Sequence, residues 1–322
     1  MWVYLVRRLL PSALVLLVVT FLSFWAFAAR IDPLTPLRME TPYPKERIAQ
    51  ITKREHLNDP IVSRYVRWLR GIVSVHGARH TILEREPIWP PVWQSLKTSA
   101  QLVAATLVVV ALFSIALGTI AAYRRGTAVD AFLRGLGYLV WSIPVFLFAL
   151  MIQQIVYHVA DSTGSLPLPP NGLPHGHGLA YVADWFRHMV LPVAALSASY
   201  IGVHSRYVRS SLLVALATPY ATVARAKGLK EQQVVLRHAL RNSLIPFVAV
   251  LALDFGALFG ASFVVDWIFR LNGIGALWVH VVGGYDPYQV EAVLAVTALA
   301  VVAFSFLSDV LLGVLDPRVR LT

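Results

Sequence analysis

The sequence predicts an all-α polytopic membrane protein with six transmembrane helices, and three observations carry that prediction. Hydrophobic residues make up 57% of the 322 and charged residues only 14%, too apolar for a soluble chain of this length. Uncharged stretches recur along the chain, most of them near the roughly 20 residues needed to cross a bilayer. The Lys and Arg residues behind the net charge of +11 sit at the ends of those stretches and in one polar insert. That distribution argues against a nucleic-acid partner and for membrane lipid as the surroundings. The chain has no cysteine, which excludes disulfides, thiolate metal sites and a cysteine nucleophile.

Leu9 to Ala29 is uncharged and follows Arg7-Arg8. Ala26-Phe27-Ala28 would suit a signal-peptide cleavage site, but an apolar run of about 21 residues exceeds the ~7–15 of a signal core. We expect a retained first helix, residues 1–29, starting in the cytoplasm. Residues 30–97 are charged and proline-rich, contain Trp68, Trp89 and Trp93, and carry helical patterns over Lys45–Leu57 and Pro60–Val75. Their basic excess would argue for the cytoplasm. The positive-inside rule governs loops up to ~60 residues, however, and longer inserts cross largely regardless of charge. This insert is therefore expected on the extracytoplasmic side.

The permease-like core would be 98–322. Thr98 to Tyr123 forms the second span, and Arg124, Arg125 and Arg134 mark a cytoplasmic turn. Gly135 to Ala160 forms the third, with a kink expected at Pro144, which lacks a backbone donor. Asp161 to His188 is a glycine- and proline-rich loop. His158, His175, His177 and His188 lie in or near it without metal-ligand spacing or a carboxylate cluster, so we expect no metal. The fourth span is about Met189 to His204, with Pro192 early in it and its end extending toward Tyr207. From Arg206 to Arg241 seven Lys/Arg face one Glu, which fixes the 206–243 loop inside.

Within that loop Pro219 to Pro246 has its own organisation. Ala221, Ala224 and Ala226 favour a helix that Gly228 can close at positive φ, and Lys230 to Arg241 has the apolar spacing of a second, amphipathic helix. Asn242 to Val265 is the fifth span, uncharged except for Asp254 about halfway along it. Asp266 to Tyr288 returns outside. Its Gly273-Ile274-Gly275 lacks the third glycine of a dinucleotide fingerprint. Ala292 to Leu315 is the sixth span, with Asp309 near its inner end, and both termini fall in the cytoplasm. No internal repeat is evident.

Two features inside the spans bear on function. Gly256 and Gly260 form a G-x-x-x-G, which lets helix backbones approach closely, against a reading as incidental glycines. Asp254 would cost about 2.5–3.5 kcal/mol at a span centre facing lipid. It should therefore face a water-filled pathway or lock helix packing as a hydrogen-bonded group. No phosphate-cradling G-x-x-x-x-G-K-[ST] occurs, nor G-x-S-x-G or H-E-x-x-H, so the chain itself is not expected to be an enzyme.

Arg225-Ala226-Lys227-Gly228-Leu229, then His238-Ala239-Leu240-Arg241-Asn242 and Leu244-Ile245-Pro246, resemble the cytoplasmic coupling loop of permease subunits of binding-protein-dependent ABC importers. The closest likeness is to the dipeptide/oligopeptide/nickel permease family. Ser142-Ile143-Pro144, Asp59-Pro60-Ile61, Tyr65 to Gly71, the stretch from Asp266 with Phe269 and Gly273-Ile274-Gly275, and Asp316 to Arg320 also match it. Two departures stand out: Thr218-Pro219 replace an acidic residue before the tyrosine, and Ser74 to Ala78 replace a glycine-acid-leucine-glycine pattern.

The resemblance implies a type I importer permease that forms half of a pathway for di- or oligopeptides. Coupling would fall to Tyr220, Ala224, Arg225, Ala226, Lys227, Gly228, Leu229, His238 and Arg241, and Ser142 and Pro144 would join Asp254 on the pathway. Implied partners are a second homologous permease subunit, two ATPase subunits that bind ATP and Mg, and an extracytoplasmic substrate-binding protein. The site would be the cell (plasma or inner) membrane. Nickel complexes or glutathione are alternative cargoes on such a scaffold. The rival classes are a stand-alone secondary transporter or channel using Asp254 and Asp309, and a membrane scaffold without transport.

Overall fold

A computed structural model describes residues 2–73, 80–165, 168–174, 178–284 and 286–315. The expected Ser74 to Ala78 departure, His175, His177 and the terminal Asp316 to Arg320 lie outside the described residues. Among those described, six helices are long and apolar enough to cross a membrane. The protein is an all-α polytopic membrane protein, as its apolar runs predict. The chain divides into two compact units: 1–98 with 272–303, and 99–271 with 304–322.

The first unit holds α1 (Trp2–Arg30), α2 (Thr35–Arg38), α3 (Lys45–Arg54) and α4 (Ile61–Val73). The helical patterns expected in the insert correspond to α3 and α4. The apolar face of α4 carries Tyr65 and Trp68, whose rings stack at 5.9 Å and meet Phe21 and Phe24 of α1 edge-on or tilted. The Tyr65 hydroxyl lies 2.9 Å from that of Thr20, so a buried polar end is satisfied while two large rings leave water. The insert is thus anchored on α1 rather than tethered loosely. α12 (Ile274–Gly283) and the start of α13 (Pro287–Leu315) complete the unit. Asp286 caps α13 by accepting from the N–H groups of Tyr288 and Gln289, with Pro287 in the first helical position. Its other oxygen accepts from Ile82 N–H at 2.6 Å, pinning the insert's 80–88 segment.

The second unit contains α5 (Trp89–Tyr123) from Ser99 onward, α6 (Ala128–Ser142), α7 (Val145–Thr163), α8 (Gly178–Leu216), α9 (Pro219–Ala226), α10 (Glu231–Leu253) and α11 (Phe255–Phe269). The end of α13 adds Phe304, packed against Phe255 and Phe259. α8 is the central post. A Cβ on Gly118 of α5 would lie 2.5 Å from Ser205 O, and one on Gly202 would lie 2.6 Å from Gly137 O of α6. These backbones touch because no side chain intervenes.

Four expectations need correction. The kink at Pro144 is a full break: Ile143 and Pro144 are extended (ψ 122° and 139°), because a proline pushes its predecessor out of the helical region. The second helix starts at Trp89 and the fourth at Gly178, well before their uncharged stretches. The polar flanks continue the same helices, so the expected 161–188 loop is cut short from both sides. The amphipathic helix expected after Gly228 is not separate: α10 runs from Glu231 into the fifth span, through a π-helical turn over Val234–Ala239. Finally, Asp254 stands at a break between α10 and α11 rather than within one uninterrupted span.

Candidate functional site

The segment between α8 and α10 is built from the inside out. Ala221 and Ala224 of α9 are buried against Val234, with Leu216 and Leu229 packed alongside. Beneath, Val235 and Ala239 of the π-helical turn meet Ala122 of α5 and Leu212 and Ala215 of α8. α9 is therefore seated on α8 and α10, and its spacing of small residues is what lets it lie so close. Pro219 occupies its first position, where the missing N–H is no loss. Thr218 does not cap it; its hydroxyl donates back to Ala215 O of α8 at 2.5 Å.

The turn that follows depends on Gly228, at φ +79°, where a Cβ would be penalised. Its N–H donates to Arg225 O at 2.9 Å, and Gln233 accepts from Lys230 N–H at 3.2 Å, the reciprocal half of a capping box. Arg225 forks onto both oxygens of Glu231, at 2.9 and 2.8 Å, and reaches Leu216 O. The Glu231 carboxylate beside it raises the already high pKa of the Arg225 guanidinium. One arginine thus ties the end of α8, α9 and the start of α10 together.

Of the predicted coupling residues, the structure exposes Tyr220, Arg225, Ala226, Lys227 and Gly228 on one short segment, buries Ala224 and half-buries Leu229. His238 and Arg241 are exposed further along α10. The gathering of Tyr220, Val223, Ala226 and Lys227 at the surface, over a buried alanine base, leaves a mixed apolar and cationic face exposed.

α8 connects this segment to two acidic sites. Asp130 of α6 is 1% exposed and accepts hydrogen bonds from Nε and Nη2 of Arg209, both at 2.7 Å. Gly126 N–H adds a bond at 3.0 Å and Arg134 lies at 3.3 Å. The Arg209 hydrogen bonds, with the Gly126 N–H and both guanidinium charges, hold this carboxyl down at about 2 despite its burial. Nothing in the sequence announced the pair, since its members are 79 positions apart.

The second site is Asp254, with a side chain 35% exposed and its Oδ2 3.1 Å from Nε2 of His204, itself 1% exposed. His204 Nδ1 lies 3.0 Å from Tyr200 O. A carbonyl only accepts, so Nδ1 carries a hydrogen. Among the described residues Nε2 is enclosed and makes no hydrogen bond, the carboxylate at 3.1 Å lying outside hydrogen-bonding geometry. Phe247 of α10 covers the ring edge-on at 5.9 Å. His204 is thus the residue the sequence reading missed beside Asp254.

The remaining predicted positions are more plainly placed. Ser142 and Pro144 are exposed at the α6–α7 break, and the Ser142 hydroxyl donates to Leu139 O. Gly260 is exposed, and a Cβ there would meet nothing within 4 Å. Of the histidines, His188 is buried in α8 with Nδ1 2.9 Å from Asp184 O, and no group of three or more metal-ligating side chains gathers among the described residues.

Comparison with known proteins places this geometry. Residues 114–321 match the family described as binding-protein-dependent transport system inner membrane component, and residues 1–115 match its N-terminal membrane component. The chain is 29% identical over 318 residues to the oligopeptide transport system permease protein AppB of Bacillus subtilis, covering 98% of this chain and 99% of that one. It is 28% identical over 321 residues to the dipeptide transport system permease protein DppB of the same organism, covering 99% and 98%. Identity to the oligopeptide transport system permease protein OppB of Escherichia coli K12 is 30% over 320 residues, covering 98% and 99%. The chain belongs to the inner membrane component family of binding-protein-dependent transport systems.

Proposed function

We propose that this chain is a permease subunit of an ATP-driven peptide importer and forms half of the translocation pathway for di- or oligopeptides. The observation that carries the reading is the α9 segment, an exposed face of Tyr220, Val223, Ala226 and Lys227 fixed on α8 and α10. A stand-alone carrier or channel has no use for such a docking face. The full-length likeness to oligopeptide and dipeptide permease proteins supports the cargo class. In this reading α9 docks on one of two ATPase subunits, which hold ATP and Mg, and a second homologous permease completes the pathway. A type I architecture follows, with both termini cytoplasmic, the 30–97 insert outside where the substrate-binding protein docks, and Ser142, Pro144 and Asp254 along the pathway.

The deciding experiment is peptide uptake by the assembled importer carrying Gly228→Val. Insertion and assembly should persist while uptake is lost, because the turn that transmits ATPase motion cannot keep its left-handed backbone. Wild-type uptake in that variant would remove the coupling role. Orientation is tested separately. Because the chain has no cysteine, Ser63→Cys gives a single thiol that an impermeant reagent should label from outside intact cells. Labelling only after permeabilisation would invert the topology.

A further inference from the structure

The insert contains an arginine with nothing to balance it. Arg64 of α4 is only 9% exposed. Among the described residues its Nε is closed off from solvent without an acceptor, and its guanidinium joins no ion pair. The neighbouring arginines are engaged: Arg67 with Asp59, Arg54 with Glu55 and Ile82 O, and Arg38 with Asp32. A buried, unpaired charge is among the least favourable arrangements in a folded protein.

Arg64 lines a cavity of about 350 Å³, closed by the end of α1 and the turn after it, by α2 and α3, and by the turn before α4. Arg30, Arg38, Thr52 and Asn58 line it too, and Asp32 is the only carboxylate among the lining residues. Asp32 lies 3.0 Å from Arg38 Nε. Three arginines against one aspartate leave two positive charges in the cavity. The carbonyl end of α1 contributes only about half an elementary negative charge, spread over several groups. What fits a guanidinium fork, a hydroxyl and an amide together is a planar or tetrahedral oxyanion.

We propose that this cavity of the 30–97 insert is an oxyanion-binding site, with Arg64 as its principal ligand and a carboxylate or phosphate group as its occupant. The occupant comes either from a soluble anion or from the headgroup of an anionic lipid, since the chemistry is shared. Arg38 and Arg30, at the rim, admit and orient the group; Arg64, at the base, is what its charge neutralises. The assignment rests on the first unit alone and stands whether or not the chain carries peptides.

The test uses the purified full chain. Calorimetric titration with inorganic phosphate and with acetate, at constant ionic strength, measures the soluble source. Thermal unfolding in phosphatidylcholine nanodiscs with and without phosphatidylglycerol measures the lipid source. Expected is saturable binding of a soluble anion, or a higher unfolding midpoint with phosphatidylglycerol, weakened at least tenfold or abolished in Arg64→Met. That variant keeps the buried stem without its charge, and in anion-free buffer it should unfold no lower than the wild type. Should it fail to fold, Arg64→Lys replaces it, keeping a charge without the fork and binding more weakly than the wild type. Either source supports the site. No anion response in either format, or an equal response in the wild type and the variant, overturns it.

Discussion

The two sides of α8 are built on opposite principles. Toward α6 the backbones of Gly137 and Gly202 are in direct contact, and the enclosed Asp130 accepts from Nε and Nη2 of Arg209. Toward α10 and α11 the neighbouring helix is interrupted at Asp254 and wound as a π-helix at Val234–Ala239, and the partly exposed Asp254 carboxylate lies 3.1 Å from His204 without a hydrogen bond. His204 and Arg209 are five residues apart on α8, about 140° around its axis at 3.6 residues per turn. One face of the post is therefore closely packed and the other interrupted. In the importer proposed above, alternation between two states would use both: the packed face as a body that moves as one, and the interrupted face as the boundary that adjusts.

The largest effect should come from breaking the fixed side. Asp130→Ala leaves Arg209 without its partner in a nearly closed site, at a cost of about 3 kcal/mol, read as a lower unfolding midpoint of the full chain in detergent. Asp130→Leu combined with Arg209→Met should recover much of that loss, since removing both charges leaves neither unpaired. The pH dependence has a definite sign. With its carboxyl held at about 2 instead of 3.8, Asp130 stabilises the fold fully above about pH 4 and loses that contribution only as pH falls through about 2. Acidification to pH 5 should therefore leave the α6 side intact.

The glycine contact comes next. Gly202→Ala puts a Cβ 2.6 Å from Gly137 O, and a backbone oxygen cannot swing aside as a side chain could. Overpacking of this kind costs about 1–3 kcal/mol. Wild-type stability in Gly202→Ala would mean that the α6 side yields as readily as the α10 side, and the contrast would collapse.

That contrast was only half legible in the sequence. The number of spans followed from the lengths of apolar runs, and the turn at Gly228 from local residue preferences, because both are decided by near neighbours. Helix ends were misplaced at Trp89 and Gly178, since charge marks where lipid stops rather than where backbone hydrogen bonding stops. Asp130–Arg209 and His204–Asp254 join residues far apart in sequence, and no periodicity encodes such a meeting. The π-helical turn was illegible for another reason: it is set by how Val234, Val235 and Ala239 fit their neighbours, not by their own propensities. Arg64 looked like one cation of many until its burial was known.

On the adjustable side the effect should appear in transport more than in stability. Asp254→Asn keeps size and hydrogen-bonding capacity but removes the ionisable carboxyl. If the pair lines the pathway, uptake of cationic peptides should fall several-fold relative to neutral ones, up to about tenfold or 1.4 kcal/mol, with assembly unchanged. Equal rates for both peptide classes would leave His204–Asp254 a packing device, no different in kind from Asp130–Arg209.

The smallest effect is expected at Gly260, which extends the same comparison to glycines. Gly202 is pressed against another backbone, whereas a Cβ on Gly260 meets nothing within 4 Å. For the chain alone, Gly260→Ala should change stability by less than about 1 kcal/mol, and in the favourable direction, since alanine suits a helix interior better than glycine. A close-packing role for Gly260 can then only involve another subunit, and in the proposed assembly that is the second permease. The isolated chain and the assembled importer should therefore answer differently to a bulkier change. Gly260→Leu should leave the unfolding midpoint of the chain close to the wild type while lowering the yield of paired permeases recovered through a tag on the partner. Full recovery would show that the stripe faces lipid, where its glycines are incidental. A loss of stability in the chain alone would instead mean that α11 is held more tightly than the open face at Gly260 allows, and the side of α8 described as adjustable would have to be counted with the fixed one.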